Sequence, residues 1–147
     1  MKAHIGMDAD SGLVHTVIGT AANVNDVTQG HALLHGQEKV IFADAGYQGA
    51  MKRDGATGVQ WQVAMRPGER RALDKRRAID ALVDKIEKLK ASVRAKVEHP
   101  FQVIKRQFGY VKVRYRGLAR NTAKLHTLFA LSNLWMARER IIQGMQG

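Results

Sequence analysis

K-V-I-F-A-D-A-G-Y-Q-G, Lys39 to Gly49, changes character halfway along. Lys39–Ala43 is a continuous apolar run bounded by polar residues, the pattern of a buried parallel strand. Asp44 follows at once, just past the strand's C-terminal end, where α/β sheets place their ligands. Gly46 and Gly49 permit close backbone approach there. Aspartate also builds turns, so a carboxylate ligand and a turn former are both open readings of Asp44.

The flanking sequence supplies the other elements of an α/β order. Ala3–Met7 and the β-branched Leu13–Thr20 read as a hairpin around the turn Asp8–Gly12. Asn23 to His35 reads as a short helix with Gly36 as its stop. A further short helical stretch is expected around Ala50–Arg53, and Val59–Met65 alternates at period two as a strand. From Asp80 onward the period becomes helical. Ile79, Leu82, Val83, Ile86, Leu89, Val93 and Val97 form an amphipathic stripe, and Pro100 predicts a kink or break near Glu98–Phe101. Tyr110–Tyr115 reads as a strand-like or extended segment rich in basic residues, and Leu118–Ile142 as a second long helix. Trp61 and Trp135 lie in apolar patterns and are expected in the core.

Composition excludes several functions. The 147 residues have no cysteine, so there is no disulfide framework, thiolate nucleophile or cysteine-ligated zinc. No apolar run reaches the ~18 residues of a membrane span, and no signal peptide is read at the N-terminus. Charge points to a partner. Residues 1–50 hold two basic and five acidic residues, a net of −3, whereas residues 51–147 hold 22 basic and eight acidic, a net of +14. Nucleic acid is the commonest polyanion to meet such a surface.

Glu98 is the second carboxylate of interest. Arg94, Glu98 and Lys105 stand at i, i+4 and i+11, which on one helix is one face. A solvated Arg–Glu pair explains the first two equally well. Two other patterns are weaker. Asp8-Ala-Asp10-Ser-Gly12 lacks the third oxygen ligand and the closing Glu of a calcium loop and reads as a turn. His31 and His35 lack the intervening Glu of a helical zinc site and read as ordinary helix surface.

These residues resemble the signature of DDE transposases of the insertion sequence five family. Arg94, Glu98 and Lys105 give R, three residues, E, six residues, K. The surroundings are similar too: KAHIGMDADSGLVH at 2–15, FADAGYQG at 42–49, AKVEHPFQVIKRQFG at 95–109 and LFALSNLW at 128–135. The resemblance runs to about Ile141. It departs at Ala91, where the family has Tyr.

The resemblance implies a ribonuclease-H-like mixed sheet with flanking helices, lacking its first strand. Residues 1–68 would be the sheet-rich part of this partial domain and 69–147 its basic helical part. The first catalytic Asp and the N-terminal DNA-binding helices would lie upstream of Lys2. Asp8 and Asp10 would not replace that Asp, because the strand they precede would start at the end of the sheet opposite Asp44.

Asp44 and Glu98 would be the second and third acidic metal ligands, and Arg94 and Lys105 would contact DNA phosphates. The implied chemistry is two-metal phosphoryl transfer with magnesium or manganese, the ions about 3.5–4 Å apart. The implied partners are transposon terminal inverted repeats and target DNA, the missing N-terminal segment or a full-length transposase, and further copies in an active homo-oligomer. The implied setting is the bacterial cytoplasm, at the nucleoid. A non-catalytic DNA-binding remnant or regulator of transposition is the alternative. A basic ribosomal or nucleoid-type protein is a third reading, which would not need Asp44 and Glu98 in these contexts.

The chain is expected to bind duplex DNA with affinity that falls steeply as salt rises, because phosphate neutralisation releases counterions. Titrations at several salt concentrations check this, and a flat dependence rejects a nucleic-acid partner.

Overall fold

The expected hairpin forms. In the computed structural model, which describes residues 1–52 and 58–145, β1 (Lys2–Met7) pairs antiparallel with β2 (Val14–Thr20). The register is irregular between Gly6 and Met7. Asp8 closes the turn by accepting the Ser11 N–H at 2.7 Å. A parallel pair follows, β3 (Val40–Ala43) with β4 (Gln60–Val63), in which Ile41 stands opposite Trp61. Three α-helices among the described residues complete the order: α1 (Pro67–Arg71), α2 (Ala78–Arg106) and α3 (Leu118–Met145). The architecture is thus mixed α/β, with two small sheets and flanking helices. The chain divides into two units, Met1–Val24 with Lys96–Gly147, and Asn25–Ala95.

In the first unit, Val14, Ile104, Leu125, Leu128 and Phe129 form the core. Phe129 is 0% exposed and meets Phe101 edge-to-face at 5.1 Å, a favoured aromatic geometry. Asn133 of α3 fastens the start of β2. Its Oδ1 accepts the Val14 N–H at 2.9 Å and its Nδ2 donates to the Val14 carbonyl at 2.7 Å, so the amide acts as a neighbouring strand residue would.

The second unit packs Ala43, Ala50 and Trp61 against Val27, Leu34 and Tyr47. α2 holds the end of β4 through polar groups. Glu87 accepts the Met65 N–H at 2.9 Å, and Lys90 donates to the Val63 carbonyl at 3.2 Å and to Glu87 at 2.8 Å. Asp84 accepts from Arg70 at 3.0 Å and pairs with Lys88 at 3.1 Å, tying α1 to α2.

Several expectations are corrected. Asn23 to His35 is not an α-helix but two 3-10 turns, Asp26–Gln29 and His31–Leu33. The turns meet at buried Gly30, where a Cβ would lie 3.1 Å from the Trp61 ring. β3 is buried on one face only, with Val40 and Phe42 exposed, because a two-stranded sheet leaves alternate residues in solvent. α2 runs unbroken through Pro100; the helix loses the bond to the Lys96 carbonyl, but the proline ring is fully buried.

The Ile79–Leu89 stripe faces outward, Ile79 at 70% and Leu89 at 69% exposed, while Asp84 and Glu87 are buried. Buried carboxylates persist only when partnered, and here Arg70, Lys88, Lys90 and Met65 supply the partners. Pro67 opens α1, where its missing N–H costs nothing. Tyr110–Tyr115 forms no strand. Asn121 instead takes the Tyr115 N–H at 3.1 Å and donates to the Tyr115 carbonyl at 2.6 Å. Trp135 is exposed rather than in the core, whereas Trp61 is buried as expected. Ala50–Lys52 is a 3-10 turn, and Arg53 lies outside the described residues.

Burial raises the Glu87 carboxyl, but bonds from Lys90 and the Met65 N–H outweigh it and hold the group below its ordinary value. A depressed carboxylate stabilises the fold above its unfolded pKa, and the gain is lost as pH falls through the folded value. Denaturant midpoints measured from pH 6 downward should therefore drop below about pH 4.5, the ordinary Glu value, more steeply for the natural chain than for Glu87→Gln. Parallel curves would contradict this role for Glu87.

Candidate active site and basic surface

Asp44 lies directly after β3 and is exposed. Its backbone is extended, and its Oδ1 accepts the Gly46 N–H at 2.8 Å, capping the 3-10 turn Ala45–Tyr47. Both readings of this residue meet in one geometry: a turn former that also presents a carboxylate at the carboxyl end of a parallel strand. Gly49 leaves the turn at φ +88°, a conformation that glycine adopts without strain.

A second carboxylate stands beside it. A Cβ on Gly46 would lie 2.9 Å from Asp44 Oδ1 and 3.0 Å from Asp26 Oδ2 and would crowd both carboxylates. Tyr47 registers both charges: its hydroxyl is pushed up to about 12, by burial first, then by Asp44 and Asp26. Asp26 was not singled out in the sequence, because it reads there as the start of a helix. Only the docking of its turn brings it to Asp44, and no spacing rule signals that.

Arg94, Glu98 and Lys105 all fall on α2, as their spacing predicts. Arg94 is half-buried, while Glu98 and Lys105 are exposed. Asp44 and Arg94 belong to the second unit, Glu98 and Lys105 to the first. Among the described residues no hydrogen bond or ion pair occupies the side chains of Arg94, Glu98 or Lys105. His31 is used within the fold, its Nε2 lying 3.2 Å from the Ala50 carbonyl.

Positive charge gathers between α2 and α3. Lys112, Arg114 and Arg116 are exposed along the segment that Asn121 clamps. Lys124 packs over the Tyr115 ring at 5.3 Å and the Tyr110 ring at 5.9 Å. Basic side chains interleaved with aromatic rings suit a nucleic acid strand, charge to phosphate and ring to base.

The described residues thus present a strand-end carboxylate, a helix bearing Arg, Glu and Lys, and a basic surface. The model of the transposase DDE domain family matches residues 1–134, and the chain belongs to that family. Transposases of this family act on DNA and generally use divalent metal ions. No solved structure matches the chain. None of its helices among the described residues is long and apolar enough to cross a membrane.

Asp44→Asn and Asp26→Asn should each lower the Tyr47 pKa part of the way toward its ordinary value of 10, since burial, the larger cause, remains. Resonances of labelled tyrosine followed through an alkaline titration test this. An unmoved Tyr47 would separate it from both carboxylates.

Proposed function

We propose that this chain is part of the catalytic domain of an insertion sequence five family DDE transposase, in which Asp44 and Glu98 are two of three acidic residues at the reacting phosphate. The carrying observation is Asp44, exposed at the carboxyl end of parallel strand β3 within the family-matched segment. A ribonuclease-H-like sheet is supported by the two separate strand pairs. Antiparallel β1 with β2 and parallel β3 with β4 supply the two strand senses of a mixed sheet. Residues 1–68 would then be the sheet-rich part of one domain and 69–147 its basic helical part.

The donor chemistry fits hard divalent cations. Carboxylate oxygens suit magnesium or manganese, and Asp44 offers an exposed one with Asp26 close by. Bound there, such ions would supply charge stabilisation for in-line displacement at phosphorus. Arg94 presents a bidentate fork and Lys105 a mobile point charge to phosphate oxygens of the transposon end. Both compensate the charge that develops on the transferring phosphate. Terminal inverted repeats and target DNA are the substrates in this reading, and the active form is a homo-oligomer.

One observation favours the non-catalytic alternative, a DNA-binding regulator of transposition. Asp44 Oδ1 already caps its own turn, a role that needs no metal.

Strand-cleavage assays with magnesium and transposon-end DNA decide between the two. With only two of the three proposed acidic residues, Asp44 and Glu98, this chain alone should be nearly inactive, and supplying a segment that carries the third, fused or in trans, should give cleavage. Asp44→Ala and Glu98→Ala should each abolish that activity, and Arg94→Ala and Lys105→Ala should weaken end binding. Asp8→Ala should change nothing, because Asp8 is spent on the Ser11 turn. Robust cleavage by the chain as it stands, or completed activity indifferent to Asp44 and Glu98, rejects the catalytic reading.

A further inference from the structure

The first unit contains a cleft of about 570 Å³ that the candidate active site does not use. Its floor is the Asp10–Gly12 turn, and its walls are α2 and the C-terminal part of α3. Glu98 and Lys105 do not line it. His99 and Arg106, seven residues apart and so on one face of α2, do. Opposite them is Trp135, 39% exposed although most large apolar side chains of α3's inner face are buried.

The cleft is built rather than incidental. Lys96 donates to the Ala9 carbonyl at 2.8 Å and Arg140 to the Ser11 carbonyl at 3.3 Å, so two cations are pinned to the floor. The Arg138 guanidinium stacks 4.5 Å from the Trp135 ring and donates to the Trp135 carbonyl at 2.6 Å, holding the indole in place. Arg138 also meets Glu139 at 3.3 Å, which leaves Asp10 as the one carboxylate of the lining without an ion pair among the described residues. Arg106 likewise has no such partner there. Lysine and arginine therefore outnumber carboxylates in the lining, and the amides of Gln102 and Gln107 add donors and acceptors.

We propose that this cleft binds an unpaired nucleotide of a DNA strand, its base stacked on Trp135 and its phosphate held by Arg106 and His99. Three features match three parts of one ligand: an aromatic face for a base, amides for its edge, and cations for its phosphate. An unpaired base is required because a base within a duplex keeps both faces in the stack. The proposal rests on the DNA partner argued above and adds a strand-specific subsite on α2 and α3.

Tryptophan fluorescence tests it directly, since of the two tryptophans Trp61 is buried and Trp135 is exposed. Oligothymidylate of about ten nucleotides, titrated against the full chain, should quench the exposed fraction, and a duplex of equal length should quench far less. Trp135→Ala should remove the quenching and weaken single-strand affinity about tenfold, while Trp135→Phe should keep most of the affinity. Arg106→Ala should weaken binding and reduce the salt slope by about one. Equal quenching by duplex, or single-strand affinity unchanged in Trp135→Ala, overturns the subsite. If salt-dependent duplex binding survives those outcomes, the DNA reading stands without the cleft. If no oligonucleotide binds even at low salt, both fall.

Discussion

A two-stranded sheet cannot bury a core by itself, and among the described residues both sheets have only two strands. Helices must therefore complete them, and they do so with polar side chains as well as apolar ones. Asn133 presents one amide to both backbone groups of Val14 and so acts as an extra strand residue for β2. Glu87 and Lys90 do the same at the end of β4, taking the Met65 N–H and the Val63 carbonyl. An unpaired buried backbone group costs free energy comparable to a lost hydrogen bond. That cost explains why helix positions read as solvent-facing carry buried carboxylates and amides.

The same requirement shapes the surface. Once Asp84 and Glu87 face inward, the Ile79–Leu89 stripe of α2 must face out. Inward carboxylates also draw cations to themselves: Arg70, Lys88 and Lys90 are consumed in neutralising them. The positive charge left for a polyanion then lies farther along the chain. Lys105, Arg106 and the 112–116 segment have no carboxylate against them among the described residues.

At Asp44 one side chain serves a turn and stands exposed at a strand end. A turn directly after a strand needs a side-chain acceptor, and Asp44 supplies it to Gly46. The same residue is exposed at the carboxyl end of a parallel strand. Gly46 makes this possible by leaving room between Asp44 and Asp26, which a methyl group would fill.

Local pattern determined much of this protein. The hairpin, the parallel strands at Val40–Ala43 and Gln60–Val63, and the two long helices follow from period and turn composition. The motifs around Asp44, Glu98 and Lys105 resemble a DDE transposase, and the family match is to the transposase DDE domain. Tertiary structure alone decided which faces are inside. Period can mark an apolar stripe on α2, but it cannot tell that Arg70 and Met65 will offer partners to the opposite face. It cannot place Asp26 beside Asp44, because that approach depends on Gly30 lying under Trp61. Nor can it expose Trp135, whose ring is left at a cleft edge because α3 spends its inner face on Leu125, Leu128 and Phe129. Burial is a property of what packs opposite a residue, and a linear pattern does not contain the opposite side.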